Sequence, residues 1–78
     1  MNMKTKEILK METRLPIELV EMNHELLEDI RLNGIREPIE IRVREDGSEI
    51  VWDGLHRLVI AVELNLETVP VIFMKMPK

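Results

Sequence analysis

The clearest pattern along the chain lies near its centre, where apolar and charged residues alternate. The apolar residues Ile39, Ile41 and Val43 alternate with the charged residues Glu40, Arg42 and Arg44. This period of two predicts a β-strand with one face toward a core and one toward solvent. Asp46-Gly47 then favours a two-residue hairpin turn with a positive φ, and "SEIVW", residues 48–52, is predicted to return as the partner strand.

Two segments have helical spacing. "NHELLEDIRLNG", residues 23–34, offers Asn23 as an N-cap and Asn33-Gly34 as a stop, and its apolar residues Leu26, Leu27 and Ile30 share one face. "LHRLVIAVELN", residues 55–65, is apolar on more than one side, which predicts a helix that is buried on more than one face. Asn65 is expected to end this second helix in a left-handed conformation.

The two ends of the chain are less regular. "KEILKMETRL", residues 6–15, is interpreted as a first strand, although its periodicity leaves a short helix open. Pro16 favours a helical turn in the "PIELV" that follows. "VPVIFM", residues 69–74, is a nearly continuous apolar run and predicts an interior strand with Pro70 near its start.

The order of these elements is strand, helix, strand, hairpin strand, helix, strand. This order predicts an α+β fold with a small mixed β-sheet of about four strands and two or three packed helices. The chain shows no linker, internal repeat or low-complexity segment. We therefore expect residues 1–78 to form a single domain.

Composition narrows the class of protein. Of the 78 residues, 45% are hydrophobic and 33% are charged, which is typical of a globular domain rather than a disordered segment. The chain has no cysteine, so disulfides, cysteine-ligated zinc and thiol chemistry are excluded. With no signal peptide and no long apolar run, we expect a cytoplasmic protein with no membrane partner.

The charge distribution bears on nucleic-acid binding. The net charge of −4 argues against a general nucleic-acid binder, because nonspecific binding depends on clustered Lys and Arg. All five lysines lie near the two ends, whereas the six arginines lie between Arg14 and Arg57. We expect any binding to duplex DNA to be weak and strongly dependent on salt.

Candidate chemistry lies where the second hairpin strand runs through Asp53-Gly54 into a helix. The first N–H groups of such a helix have no partner in the helix itself, and the helix dipole there favours negative charge. Gly54 permits a close backbone approach, His56 can donate a hydrogen bond, and Arg57 can bind phosphate oxygens through its forked guanidinium. The alternative is that the two cations lie there by chance. Trp52, just before the turn, is interpreted as a core residue rather than a platform for a base.

A resemblance strengthens the phosphate hypothesis. "NGIREPIEIRVREDGSEIVWDGLHRLVIAVELNLETVPVIFM", residues 33–74, resembles the N-terminal domain of the ParB/sulfiredoxin superfamily. In that superfamily the Gly-x-x-Arg turn binds the phosphates of CTP, ATP or ADP. The resemblance implies that Gly54, Leu55, His56 and Arg57 hold a nucleoside triphosphate or diphosphate, with or without Mg²⁺. It also implies that the neighbouring loop lines the nucleotide site with Gly34, Ile35, Arg36 and Pro38.

The departures from the superfamily pattern restrict function. Sulfiredoxin has a reactive Cys where this chain has Leu55, so reduction of sulfinic acids through that thiol is excluded. ParB has an arginine-rich box before its first helix and a helix-turn-helix domain downstream, and neither is present in these residues. The ParB-like serine kinases share Asp-Gly-x-His-Arg but are larger.

Three function classes remain open. The first is a nucleotide-binding module with a regulatory role or a protein partner, which includes a second copy of itself. The second is a small phosphotransferase or nuclease, in which Asp53 or Glu37 acts as a base or holds Mg²⁺. The third is a DNA- or protein-binding adaptor without nucleotide, which would depend on Arg36, Arg42 and Arg44. His24 and His56 without cysteine make a poor metal site, so we assign the chain no metal of its own.

Overall fold

The centre of the fold is a mixed sheet whose strands come from both ends and the middle of the chain. A computed structural model describes residues 1–77. The strands in this range are β1 (Asn2–Lys4), β2 (Glu12–Thr13), β3 (Ile39–Val43), β4 (Glu49–Asp53) and β5 (Thr68–Lys75). The helices are α1 (Thr5–Ile8), α2 (His24–Asn33) and α3 (Leu55–Glu63), with a single 3₁₀ turn at Ile17–Leu19.

The strands lie in the order β1-β5-β3-β4-β2. The predicted hairpin is present, with β3 antiparallel to β4 and a register shift between Glu40 and Ile41. On its other side β3 runs parallel to β5, with Ile39 opposite Val71 and Val43 opposite Lys75. The short outer strands complete the sheet, β1 antiparallel to β5 and β2 parallel to β4. The α+β class is therefore confirmed, with five strands in place of about four.

One face of the sheet carries the core. The side chains that are fully buried there come from α1, β3, β4, α3 and β5, and the largest of them are Ile8, Ile39, Ile41, Leu58, Val51 and Val69. Alternate residues of β3 and β5 supply this face, as expected for strands with a period of two. The spacing of Leu55, Leu58 and Ala61 on α3 directs a continuous apolar stripe toward the same core.

The predictions for α2 and for the end of α3 are confirmed. The side chain of Asn23 accepts a hydrogen bond from the N–H of Leu26 at 3.0 Å and caps α2. Gly34 follows α2 with φ 75°, and Asn65 follows α3 with φ 55°, so each chain reversal uses a residue that tolerates a positive φ. The longest helix within residues 1–77 has ten residues, and none there has the length and apolar character to span a bilayer.

The prediction of one strand over residues 6–15 is wrong. The segment begins in α1, whose Ile8 is fully buried, and only Glu12–Thr13 pairs with the sheet. The side chain of Thr5 donates a hydrogen bond to the carbonyl of Leu66 at 2.6 Å, which fixes the start of α1 against the segment after α3. These contacts are tertiary, and the local sequence pattern does not contain them.

Two local predictions in the hairpin are also corrected. The turn is a three-residue connection, because the N–H of Arg44 donates to the carbonyl of Ser48 and only Gly47 of residues 45–47 has a positive φ. Trp52 is half-buried and lies outside the core cluster, so its interpretation as a core residue is wrong. The register shift skips Trp52, which has no Cα partner on β3, and the guanidinium of Arg42 lies over its ring.

Candidate functional site

The turn between β4 and α3 is built around Gly54. Its φ of 94° and ψ of 20° are left-handed, and its N–H donates to the Asp53 carboxylate at 2.9 Å. A Cβ at this position would lie 2.7 Å from Nη1 of Arg57 and 3.2 Å from the Cα of Ile39. Only glycine fits this backbone and this approach to β3 without strain. The predicted start of α3 at Leu55, directly after the turn, is confirmed.

The first turn of α3 has no side-chain cap. Gly54 occupies the N-cap position, where it has no side chain to accept a hydrogen bond, and the first turn contains no acidic residue. The carbonyl of Gly54 already accepts from the N–H of Leu58. The N–H groups of Leu55, His56 and Arg57 are therefore the helix donors without a partner inside the helix. This helix start favours an anion on electrostatic grounds.

A pocket of about 460 Å³ opens beside this turn. We call it the turn pocket, and its lining residues are Arg14, Leu15, Leu19, Val20, Glu21, Trp52, Asp53, Gly54, Leu55 and His56. Its size is in the range of small-molecule sites. Four residues predicted from the sequence, Asp53, Gly54, Leu55 and His56, thus lie together in one cavity.

The other predicted residues lie elsewhere. A second pocket of about 360 Å³, which we call the loop pocket, is lined by Leu26, Asp29, Ile30, Ile35, Arg36, Glu37 and Arg57. Gly34 and Pro38 belong to the same loop but line neither pocket. The structure therefore divides the predicted site between two cavities, of which only the turn pocket is lined by the β4–α3 turn itself.

Arg57 lines the loop pocket and also lies against Gly54 of the turn. Its Nη2 donates to the Glu37 carboxylate at 2.9 Å, and its Nη1 approaches the carbonyl of Pro38 at 3.4 Å. The Arg57 side chain is only 21% exposed, whereas that of Glu37 is 79% exposed. These contacts fix residues 37–38 to α3 and hold the guanidinium under Gly54. A phosphate that uses the Arg57 fork would have to share it with Glu37 or displace that carboxylate.

The loop pocket is internally charge-compensated. Nη2 of Arg36 lies 2.5 Å from the Asp29 carboxylate, and Arg57 is paired with Glu37. The pKa of Asp29 is lowered, first by the hydrogen bond from Asn33 and then by Arg36. Each of the two arginines lining this pocket thus already has a carboxylate partner.

Sequence reasoning missed Arg14 as a site residue. The N–H of Arg14 donates to the carbonyl of Val51 at 2.9 Å and extends the parallel pairing of β2 with β4. Its guanidinium carbon lies 5.1 Å from the centroid of the Trp52 ring, and that of Arg42 lies 4.4 Å from it. Arg42 is also bonded to Glu40 at 2.6 Å, but Arg14 has no carboxylate within ion-pair distance in residues 1–77. Arg14 therefore brings to the turn pocket a guanidinium that has no ion-pair partner within residues 1–77, in a lining that also contains the carboxylates of Asp53 and Glu21.

Neither catalytic candidate stands free in the turn. Asp53 uses one oxygen to accept from the N–H of Gly54, and Glu37 is bonded to Arg57. No group of three or more His, Asp or Glu side chains within residues 1–77 is arranged to hold a metal ion. A Mg²⁺ ion in this site would therefore rely on the phosphates of a nucleotide for most of its ligands.

Comparison with known proteins identifies the fold. The structure of sulfiredoxin from Arabidopsis thaliana matches with a TM-score of 0.67 over 97% of this chain and 84% of that chain, at 23% sequence identity. The chain therefore has a sulfiredoxin-like fold. No protein-family model and no curated protein matches the sequence.

Proposed function

We propose that this protein is a cytoplasmic nucleotide-binding module that holds the phosphates of a nucleoside triphosphate or diphosphate in the turn pocket. The proposed role of binding is regulatory, through a change in affinity for a protein partner. The observation that carries the proposal is the uncapped start of α3, which opens into a cavity that Arg14 and His56 also line. The sulfiredoxin-like fold agrees with it, because the sequence resemblance implies a phosphate at the same turn.

Each group in the pocket has a stated role. Backbone N–H groups of Leu55 and His56 donate to phosphate oxygens, and Gly54 allows those oxygens close to the backbone. The guanidinium of Arg14 offers forked hydrogen bonds from across the pocket, and the His56 ring offers one more. Arg57 acts from beneath the turn, where its positive charge adds to the favourable potential even while Glu37 occupies part of its fork.

The experiment is a thermal-shift and calorimetric titration with CTP, ATP, ADP and GTP, each with and without Mg²⁺. A ligand at 100 times its dissociation constant stabilises the fold by about 2.7 kcal/mol, which such a titration resolves easily. We expect at least one nucleotide to bind, and we expect Arg14→Ala to weaken the binding of that nucleotide. Absence of binding by all four, with the protein folded, would contradict the proposal.

Catalysis is tested in the same samples. If the wild type releases inorganic phosphate from the bound nucleotide and Asp53→Asn does not, the small-enzyme alternative is favoured. Asp53 is chosen because its carboxylate lies in the turn pocket with Gly54 and His56. Binding without turnover supports the regulatory module. Tight binding to duplex DNA at about 200 mM salt would favour the adaptor instead, because nonspecific phosphate contacts are strongly weakened at that salt concentration.

A further inference from the structure

The outer side of β5 is only partly covered. β1 pairs with Thr68–Pro70, and the carbonyl of Met1 accepts from the N–H of Val71 at 2.8 Å. On the inner side β3 accompanies the strand as far as Lys75. In the described part of the chain, residues 1–77, the segment from Ile72 to Lys75 therefore has a neighbouring strand on one side only. We call this segment the open edge.

At every second residue of the open edge, the backbone N–H and C=O groups point away from β3. The N–H of Val71 points toward β1, and the N–H of Met76 points the other way, to the carbonyl of Val43 at 2.9 Å. Because successive residues of a strand direct these groups to opposite sides, the N–H and C=O of Phe73 and Lys75 point away from β3. Such an unpaired row is a template for another strand.

The side chains of the open edge are apolar and accessible. Ile72, Phe73 and Met74 are 46%, 37% and 48% exposed. Ile72 and Met74 share the sheet face that the helices leave uncovered, next to Glu40 and Arg42 of β3. In a chain with 33% charged residues, three adjacent exposed apolar side chains on an open strand indicate an interaction surface.

We propose that the open edge binds a second copy of this chain, with the two β5 strands antiparallel and the two-fold axis at Met74. Phe73 then pairs with Lys75 of the partner subunit, and Lys75 with Phe73 of the partner subunit. Their outward N–H and C=O groups form four hydrogen bonds across the axis. The pairing is confined to residues 73–75, because Met1 already lies beside Val71. Ile72 and Met74 of each copy lie on the same sheet face, so the apolar side chains of the two copies face one another across the axis.

The register follows from the contacts already present. A two-fold axis at Phe73 would require the N–H of Val71, which is already bonded to Met1. An axis at Met74 uses only the N–H and C=O groups of Phe73 and Lys75, which have no backbone partner within residues 1–77. It also places the one charge of the edge, on Lys75, opposite an aromatic ring rather than opposite another Lys. The edge is thus self-complementary in hydrogen bonding, apolar contact and charge, which is why we assign a second copy to it.

Charge reversal at the axis gives the sharpest test. Met74 would lie opposite Met74 of the partner subunit, so Met74→Lys and Met74→Glu each place like charges in direct opposition. We expect sedimentation velocity to show a wild-type dimer, a monomer for each variant alone at the same concentration, and a dimer again in their equimolar mixture. Leu32→Lys is the matched control, because Leu32 is exposed on α2 and far along the chain from this edge.

Three results would overturn the proposal: a wild-type monomer up to the highest soluble concentration, a dimer that both Met74 variants leave intact, or a mixture that stays monomeric. Circular dichroism of each variant verifies that the fold is kept, as expected for an exposed side chain. All measurements are made without nucleotide, so their outcome is independent of the proposed function of the turn pocket.

A cross-link locates the axis. The natural sequence has no cysteine, so Met74→Cys introduces the only thiol. Cα atoms of a directly opposed, non-hydrogen-bonded pair lie about 4.5 Å apart, within the range of about 4.4–6.8 Å that a disulfide spans. We expect mild oxidation to produce a covalent dimer from Met74→Cys and none from the control Leu32→Cys. The reverse result would place the interface elsewhere and overturn the proposal.

Discussion

The turn pocket and the loop pocket are both lined by residues from the first turn of α3, yet their arginines have different partners. In the loop pocket the arginines Arg36 and Arg57 are paired with Asp29 and Glu37. In the turn pocket Arg14 stacks on Trp52 without a carboxylate partner in residues 1–77, next to an uncapped helix start. The first arrangement holds a loop in place, and the second leaves the Arg14 guanidinium without an ion-pair partner in the described residues. The comparison teaches that proximity of arginines to a helix start does not by itself make them ligands.

The largest expected effect comes from Gly54, the glycine of the β4–α3 turn in the turn pocket. Gly54→Ala would force a left-handed backbone on an L-residue and place a Cβ 2.7 Å from Arg57 Nη1 and 3.2 Å from the Cα of Ile39. We expect a loss of unfolding free energy of about 3 kcal/mol in urea denaturation, from backbone strain and overpacking together.

Gly47→Ala is the control for Gly54→Ala. Gly47 also has a positive φ, 88°, but a Cβ there meets nothing within 4 Å. We therefore expect only the backbone cost, about 1 kcal/mol. Equal losses for the two variants would show that the close approach of the turn to β3 has no energetic consequence.

The next largest effect is on nucleotide affinity, which should fall when an arginine of the turn pocket is removed and not when one of the loop pocket is removed. Arg14→Ala removes a charge-assisted fork, and we expect it to weaken nucleotide binding by a factor of about 10 to 100, equivalent to 1.5–3 kcal/mol. Arg36→Ala removes an arginine that Asp29 already neutralises, so the affinity should stay nearly unchanged. Isothermal titration of both variants measures the difference. A larger loss for Arg36→Ala would reverse the assignment of the two pockets.

Glu37→Gln has a smaller expected effect on the same affinity, in the opposite direction. Glu37 occupies Nη2 of Arg57, and its carboxylate is largely exposed. Removal of this negative charge frees part of the Arg57 fork, so we expect nucleotide affinity to rise by a factor of about 2 to 5, which corresponds to an exposed ion pair of at most about 1 kcal/mol. Titration with the same nucleotide detects this change, and a fall in affinity would show that Glu37 positions Arg57 for the ligand.

The smallest effect is a titration. The pKa of the Asp29 carboxyl should lie below its ordinary value of 3.8, because Asn33 donates a hydrogen bond to it and Arg36 lies beside it. Since the pKa of Asp29 is lower in the folded protein than in the unfolded chain, the ionised Asp29 carboxylate stabilises the fold at pH values above 3.8. This stabilisation is lost as the pH falls through the lowered pKa. NMR titration should show the pKa of Asp29 rising in Asn33→Ala and also in Arg36→Ala, because each substitution removes a hydrogen bond that lowers it. A pKa at or above 3.8 in the wild type would contradict the compensation of the loop pocket.

The sequence predicted those parts of the molecule whose cause is local. The alternation in β3, the Asn23 cap and the Gly54 turn depend on residues within a few positions of one another, and all three are present. The first fifteen residues could not be predicted in the same way, because β1 and β2 are short and exist only through pairing with β5 and β4.

The same distinction between local and tertiary causes applies to the candidate site. Gly54, Leu55 and His56 were found from their own motif and lie in one pocket. The contribution of Arg14 depends on the parallel pairing of β2 with β4, and the pairing of Arg57 with Glu37 depends on how β3 packs beside α3. Neither relation leaves a periodic signal in the sequence. Binding of nucleotide at these residues stays a prediction.

The position of β5 has a consequence for folding kinetics. This strand joins β1 to β3, and Met3 pairs with Val69 although nearly the entire sequence lies between them. Closing so long a loop costs entropy before any contact compensates it, and a high contact order slows folding. We expect β1 to join the sheet late, after the hairpin and β5 have met. Its pairing should also open most readily in the native protein, so the amides at the N-terminal end of the chain should exchange hydrogen well before those of β3.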